Sequence, residues 1–265
     1  MNQNPIQYDP TLFAGTASYY SRYRFPYPQQ LFDYLIQTFE FDGTGTALDL
    51  GCGPGLLTIP LAPSFNKMVA MDPDDEMLRE ARRSAEAAKA NNIEFVKGSS
   101  WDLSPAIGTF RFVIMGQSFH WMDRDQALKA LYDLVEPKGG VAIVYQKRRA
   151  PQAIKNAEDE VVRKFLGERR RAGRGYYEHP PDSHEVVFAR SHFTALAPWH
   201  YTYERQQTID EAVGFVFSTS RATRQLLGDR AAEFEAELRK HFLAAAPAGK
   251  FRLGVDVTAL LGRKE

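Results

Sequence analysis

Thr46-Ala47-Leu48-Asp49-Leu50-Gly51-Cys52-Gly53-Pro54-Gly55-Leu56 is an apolar, strand-like run that feeds directly into glycines at alternate positions. An apolar segment able to start a helix, Leu56-Leu57-Thr58-Ile59, follows at once. The stretch therefore predicts a strand, a tight loop and a helix start. Lacking Cβ atoms, Gly51, Gly53 and Gly55 can take positive φ and let a ligand lie against bare main chain, while the free N–H groups of the new helix point at it. A nucleotide-like guest suits such a loop, although an ordinary strand-to-helix turn can look the same.

Spacing narrows the choice. A dinucleotide fingerprint places its glycines as G-x-G-x-x-G, and here the third arrives one residue early, with Leu56 where that glycine would stand. A phosphate-binding P-loop would end in Gly-Lys-Ser/Thr, which is absent. The run Leu48-Asp49-Leu50-Gly51-Cys52-Gly53-Pro54-Gly55 resembles motif I of the class I S-adenosylmethionine-dependent methyltransferases, of the small-molecule, trans-aconitate methyltransferase-like kind. A neutral adenosyl cofactor has no phosphate to cradle, in keeping with a loop that carries no lysine. The resemblance implies S-adenosylmethionine as cofactor, S-adenosylhomocysteine as its product, and Asp49, Gly51, Cys52, Gly53 and Gly55 at the cofactor.

The bulk numbers leave room for this. The chain has 265 residues, 44% of them hydrophobic, enough for one elaborated domain with a sizeable core. Its 33 basic and 33 acidic residues cancel, so the whole molecule offers no electrostatic argument for nucleic acid or an anionic membrane. A single cysteine excludes a disulfide framework and a cysteine-rich metal site. Cys52 itself reads as a small apolar filler rather than a nucleophile, because no paired base is visible nearby. The stretch Met1-Asn2-Gln3-Asn4-Pro5 lacks a basic, apolar signal, and no run of about 20 apolar residues occurs. The expectation is a cytoplasmic protein with no metal and no membrane or nucleic-acid partner.

Ahead of the glycine loop, Tyr19-Tyr20-Ser21-Arg22-Tyr23-Arg24-Phe25-Pro26-Tyr27-Pro28 concentrates aromatics and arginines, and Leu31, Leu35 and Phe39 then recur at helical spacing. The aromatic stretch is either a docking surface or a cover over the cofactor. It is similar to the family's Tyr-x-x-x-Arg-Pro-x-Tyr-Pro segment, with Phe25 where proline is usual. That likeness implies Arg24 pairing with the methionyl carboxylate, Tyr20 beside it, and Tyr19 and Tyr27 toward the substrate.

Beyond the loop, Pro60 predicts a short or bent first helix. The strand Lys67-Met68-Val69-Ala70-Met71 ends in Asp72, about 20 residues past the first glycine, where an acid can accept both ribose hydroxyls. Capping the next helix is the alternative job, for which Asp74 is also available. By the resemblance, Pro73 and Met77 border the adenine. After a polar helix at 75–90 and a strand at Ile93-Glu94-Phe95-Val96, the turn Ser99-Ser100-Trp101-Asp102 stands where the family reads the adenine edge. Trp101 either stacks on the base or points into the core.

The strand Phe112-Val113-Ile114-Met115 runs into Gly116-Gln117-Ser118-Phe119-His120-Trp121. In an open parallel sheet, ligands bind beyond the carboxyl ends of the strands near the switch in strand order, so these ends should converge on one cleft. Gln117 is expected at the cofactor, and Met115, Phe119, His120, Trp121 and Tyr145 around the acceptor. His120 is a candidate general base, its ordinary pKa of about 6.5 suiting proton removal near neutrality. It equally suits a role as a wall of the pocket. No Asn/Asp-Pro-Pro-Tyr/Phe sequence follows this strand, which counts against an amino-methylating enzyme of the adenine or glutamine type.

A helix at 126–135 and the turn Pro137-Lys138-Gly139-Gly140 introduce a fifth strand at 141–145. Residues 167–175 form a basic, glycine-flanked run, expected as a solvated loop or as a lid whose arginines meet an anionic substrate. Strand-like 199–204, helices near 213–217 and 229–245, and a last strand at 251–260 follow, with 193–196 beginning the sixth strand. The expected fold is α/β: a Rossmann-like, seven-stranded sheet with an antiparallel last strand and helices on both faces. It is read as one domain over 1–265, with a cap at 1–41, a cofactor core at 42–147, a lid insertion at 148–190 and a completing segment at 191–265. The function expected is methyl transfer to a small molecule, an oxygen being favoured. The alternatives are a non-methylating rearrangement by the same fold and, less favoured, an RNA methyltransferase.

Overall fold

The structure is a computed structural model that describes residues 9, 11–178 and 180–265. Its elements in chain order are α1 (Ala17–Tyr23), α2 (Gln29–Phe39), β1 (Thr46–Leu50), α3 (Thr58–Leu61), β2 (Lys67–Asp72), α4 (Asp75–Ala87), β3 (Ile93–Lys97) and β4 (Phe110–Gly116). Next come α5 (Arg124–Leu134), β5 (Val135–Arg149), α6 (Gln152–Leu166), β6 (Arg171–Ala172), β7 (Gly175–Tyr176), α7 (His184–Ala189) and β8 (Thr194–Ala195). The chain closes with β9 (Trp199–Thr208), α8 (Ile209–Phe217), α9 (Arg224–Leu227), α10 (Ala231–Ala245) and β10 (Lys250–Arg263).

The main sheet runs β3-β2-β1-β4-β5-β10, and both β8 and β9 pair with β10. β1 is parallel to β2 and β4, while β10 is antiparallel to β5, β8 and β9. The expected α/β sheet with its antiparallel last strand is therefore present. The sixth strand differs from expectation: β8 is only a two-residue pairing, and the long sixth strand starts at Trp199. Pro198 lies between them and has no N–H to continue a ladder.

Sequence alternation explains the layers. Along β1, Ala47 packs into the cluster with α2, α6, α8 and α10, whereas Leu48 and Leu50 face the cluster with α5 and α7. Burial on both faces is the usual condition of parallel strands. The Pro-Lys-Gly-Gly turn is absorbed into an irregular start of β5, and its glycines are packing requirements. A Cβ on Gly140 would lie 2.1 Å from the Phe39 ring, and one on Gly139 would lie 2.8 Å from the carbonyl oxygens of Arg111 and Glu136. As Pro60 foretold, α3 lasts a single turn before tightening into a 3-10 turn over Ala62–Ser64.

Of the segment expected as a lid, α6 belongs to the core, with Ile154, Ala157, Val161 and Val162 buried. Beyond α6, the β6–β7 ribbon supplies Ala172, Gly175 and Tyr176 to a cavity that it shares with His120. None of the described helices is long and apolar enough to cross a membrane.

Candidate functional site

Sheet order turns between β1 and β4, and there a cleft of about 700 Å³ opens beyond the strand ends. Its floor is backbone. Gly51 (φ +74°) has no room for a side chain, since a Cβ would fall 2.4 Å from Cβ of Ser118. The Ser118 hydroxyl in turn donates to the Leu50 carbonyl at 2.7 Å, tying the end of β4 under β1. A Cβ built on Gly53 (φ +54°) would meet no described residue within 4 Å, and the glycine lies open to the cleft. Gly55 departs from expectation and lines no cavity of the cleft. At φ +87° a Cβ there would press on Ile59 at 3.1 Å, so the residue lets the loop sit on α3 and α4.

Asp72 ends β2 at the cleft. One carboxylate oxygen accepts from the Gly53 N–H at 2.8 Å and the other from the Asp74 N–H at 2.9 Å. Burial raises its pKa to about 6 against those two donors. Asp74 takes over the capping role, accepting from Glu76 and Met77 N–H at the start of α4. Pro73, Met77, Ser99, Ser100 and Trp101 complete this wall. Trp101 is 45% exposed, which removes the core option. Asp102 is a correction: its carboxylate accepts from the Ser99 N–H at 2.7 Å and the Ser99 hydroxyl at 2.9 Å, closing a capping box, and it does not line the cleft.

A narrower recess of about 270 Å³ continues past Gly51, lined by Tyr20, Tyr27, Asp49, Cys52 and Gly116. Asp49 accepts from the Thr58 hydroxyl at 2.6 Å through one oxygen, and its other oxygen is buried without a partner among the described residues. Burial pushes its pKa up to about 7, with the nearby Asp72 charge adding to the rise. Arg24 lies over the Tyr20 ring at 4.6 Å and the Phe215 ring at 5.0 Å, and donates to the Ser218 carbonyl. Its Nε is likewise buried without a partner among the described residues. The charges of Asp49 and Arg24 both act on the hydroxyls of Tyr20 and Tyr27, which burial holds protonated above their usual range. Burial also pushes the Cys52 thiol up, in keeping with a filler and against a thiolate nucleophile.

On the opposite side, Gln117 (φ +56°) lines the cleft and donates to the Gln146 carbonyl. Trp121 lines both this cleft and a second cavity of about 940 Å³ bordered by His120, Leu12, Tyr176 and Tyr177. His120 is held neutral, its pKa lowered to about 3 by burial and then by His184 and the guanidinium groups of Arg170, Arg24 and Arg124.

Four expected acceptor residues are elsewhere. Met115 and Phe119 are fully buried in the sheet's core, because an inward position on β4 and the turn after it feed the α5–α7 layer. Tyr19 stacks on Tyr23 and accepts from Arg224 on the α8–α9 side. Tyr145 donates to Glu185 and packs on His184. Conversely, Leu12, Phe13, Asp74, Ser118 and Met122 line the cleft unannounced. Phe13 stands edge-on to Trp121, 5.8 Å between centroids, and no periodicity marks it.

Comparison with known proteins agrees with this architecture. Residues 47–139 match the family described as methyltransferase domain. An uncharacterized methyltransferase of Schizosaccharomyces pombe is 32% identical over 137 residues, 51% of this chain and 53% of its own. The chain spans about half the length of the curated relatives it matches. A solved structure from Anaeromyxobacter dehalogenans, provisionally assigned as a type II methyltransferase, superposes with a TM-score of 0.62 at 24% identity, covering 91% of this chain and 97% of the other. Coclaurine N-methyltransferase, solved with N-methylheliamine and S-adenosylhomocysteine, reaches 0.51 at 12% identity over 88% and 72% of the two chains. By the glycine loop, the strand order and these likenesses together, residues 47–139 carry a methyltransferase domain, set in a chain with the Rossmann-like fold of the class I S-adenosylmethionine-dependent methyltransferases.

Proposed function

We propose that the protein transfers a methyl group from S-adenosylmethionine to an oxygen, carboxylate or hydroxyl, of a small molecule. The observation that carries this reading is a cleft that joins bare glycine backbone, a strand-end acid and an apolar shelf, continued by a recess lined by Asp49, with Arg24 stacked over the Tyr20 ring that borders both. Gly51 and Gly53 give close approach; Asp72 is the acceptor for ribose hydroxyls; Met77, Pro73 and Trp101 suit a flat base. The unpartnered Nε of Arg24 and Oδ1 of Asp49 match the carboxylate and ammonium of an amino-acid tail.

When bound, the sulfonium supplies an already activated methyl group. The chain's own task is then alignment and exclusion of water. Trp121, shared by the cleft and the second cavity, is the wall across which the acceptor meets the methyl group. His120, kept neutral among arginines, shapes that wall in this reading and takes no proton.

The test is calorimetric titration with S-adenosylmethionine, S-adenosylhomocysteine and NAD, with Asp72→Ala as control. Micromolar binding of the adenosyl pair, lost in the variant, is the expected result. Binding of NAD alone, or of none of the three, overturns the reading.

A further inference from the structure

The basic run that follows α6 closes a cavity of about 760 Å³ that the methyl-transfer reading leaves unused. Its lining brings together Arg163, Arg169, Arg170, Arg171 and, from the loop between α8 and α9, Arg221. Two carboxylates face them, and both are engaged: Asp159 pairs with Arg221 at 2.5 Å and Glu168 with Arg163 at 3.3 Å. Arg169, Arg170 and Arg171 pair with no carboxylate among the described residues. Their guanidinium groups lie on rings instead. Arg169 is 4.0 Å from the centre of the Tyr176 ring, Arg171 is 5.5 Å from the same ring, and Arg170 is 4.0 Å from that of Tyr177. A ring covers a guanidinium's face and leaves its planar N–H fork free to donate. Arg170 turns that fork only to the Ser220 hydroxyl at 3.5 Å, and the Nε of Arg171 is buried with no partner among the described residues. Like charges gathered at one cavity repel one another, and a bound anion relieves that repulsion.

We propose that this arginine cavity binds a phosphoryl group, at a site separate from the methyl-transfer cleft and from its acceptor. A lone carboxylate satisfies one arginine fork in one plane. A phosphoryl group carries about two negative charges near neutrality and presents three oxygens in different directions, so it takes several forks at once. The aromatic seats fix the guanidinium planes before a ligand arrives, which lowers the ordering cost of binding. The separation follows from the linings: none of the five arginines borders the glycine-floored cleft or the cavity beside Trp121.

The experiment is calorimetric titration of the full chain, at constant ionic strength, with inorganic phosphate, pyrophosphate and citrate, a tricarboxylate of charge similar to pyrophosphate. These titrations need no cofactor, so failure of the methyl-transfer reading leaves them intact. Pyrophosphate should bind saturably at one site and at least about tenfold tighter than citrate, the usual size of a hydrogen bond between charged groups. Arg169→Gln and Arg171→Gln should each weaken it at least about fivefold. Arg174→Gln, on the same ribbon but outside the cavity, should change it by less than about twofold. Saturating pyrophosphate should leave S-adenosylhomocysteine affinity within about twofold. The site is overturned by no saturable binding of phosphate or pyrophosphate, by citrate binding as tightly, by an equal loss in Arg174→Gln, or by displacement of S-adenosylhomocysteine. Sedimentation with phosphatidylcholine vesicles, with and without phosphatidylinositol 4-phosphate, then separates the sources. Co-sedimentation with the phosphoinositide vesicles alone, lost in the two cavity variants, assigns the phosphoryl group to a lipid headgroup; pyrophosphate binding without co-sedimentation assigns it to a soluble ligand.

Discussion

The cleft at the strand ends and the second cavity share Trp121 as a wall, yet they are assembled from different material. The cleft is made largely from the ends of adjacent parallel strands and the backbone that follows them: Gly51 and Gly53 after β1, Asp72 and Pro73 at the end of β2, Gly116 and Gln117 at the end of β4. Its shape is inherited from the sheet. The cavity is made of side chains from segments far apart in the chain: Leu12 before α1, His120 and Trp121 after β4, and Tyr176 and Tyr177 at the ribbon. Its shape depends on how those segments lie on one another. Backbone sites tolerate almost no substitution at a few positions, whereas side-chain sites spread their sensitivity over many.

Gly51→Ala should give the largest effect, because the added methyl must both hold φ +74° and displace Ser118 from 2.4 Å. Strain and overpacking together cost about 2–4 kcal/mol, seen as a drop in thermal midpoint and at least a hundredfold loss of cofactor affinity by calorimetry. Gly53→Ala sharpens the comparison: its Cβ meets nothing within 4 Å, so only the conformational term of about 1 kcal/mol remains. Equal effects at the two positions would break the claim that the floor is set by packing beneath it.

Tyr177→Ala comes next. It removes the edge contact to Trp121 and the ring under Arg170, so kcat/KM for an acceptor should fall about tenfold. The cofactor dissociation constant, measured on the same sample, should move by less than about twofold if the two halves are built independently.

Asp49→Asn probes the cleft through pH. Because the folded-state pKa of Asp49 is raised to about 7 from 3.8, the native state binds a proton more readily than the unfolded chain between those values. Stability contributed by this group therefore falls as pH rises from about 4 to 7. His120, lowered to about 3, opposes that trend on its own account. Subtracting the Asp49→Asn curve from wild type in denaturant melts isolates the aspartate, and the difference should decline toward neutrality. A flat difference would mean that Asp49 is solvated.

The smallest effect is expected at Asp9→Asn. Its carboxylate holds the ribbon tip through the Arg174 N–H at 2.6 Å, with Gly173 packed so closely that a Cβ there would lie 2.3 Å from Asp9 Oδ2. Loss of one exposed, charge-assisted bond should raise protease cleavage within residues 171–176 a few-fold, about 1 kcal/mol of local opening, without touching cofactor affinity.

The same division governs what could be read in advance. Positive φ at Gly51, Gly53 and Gly55, the acid ending β2, and the brief α3 are local consequences of residue type, and each follows from a few neighbours in the chain. The direction of a side chain after a strand is not local. Met115 and Phe119 look like pocket residues by position, but the α5–α7 layer claims them for the core. Asp102 looks like an adenine reader, but a serine three residues earlier engages it. Phe13 and Leu12 carry no periodic signal, and only the path of the chain over the cleft brings them to it.

The sequence by itself determined the parallel α/β sheet, its antiparallel closing strand and the glycine-floored cleft at the strand ends, because alternating burial, glycine conformations and strand-end acids act over a few residues. The tertiary structure alone decided which aromatics line the second cavity, that α6 is core rather than cover, and that burial keeps His120 neutral. Those properties are set by distances between segments more than a hundred residues apart, such as Leu12 and Trp121, and such distances exist only once the sheet has formed.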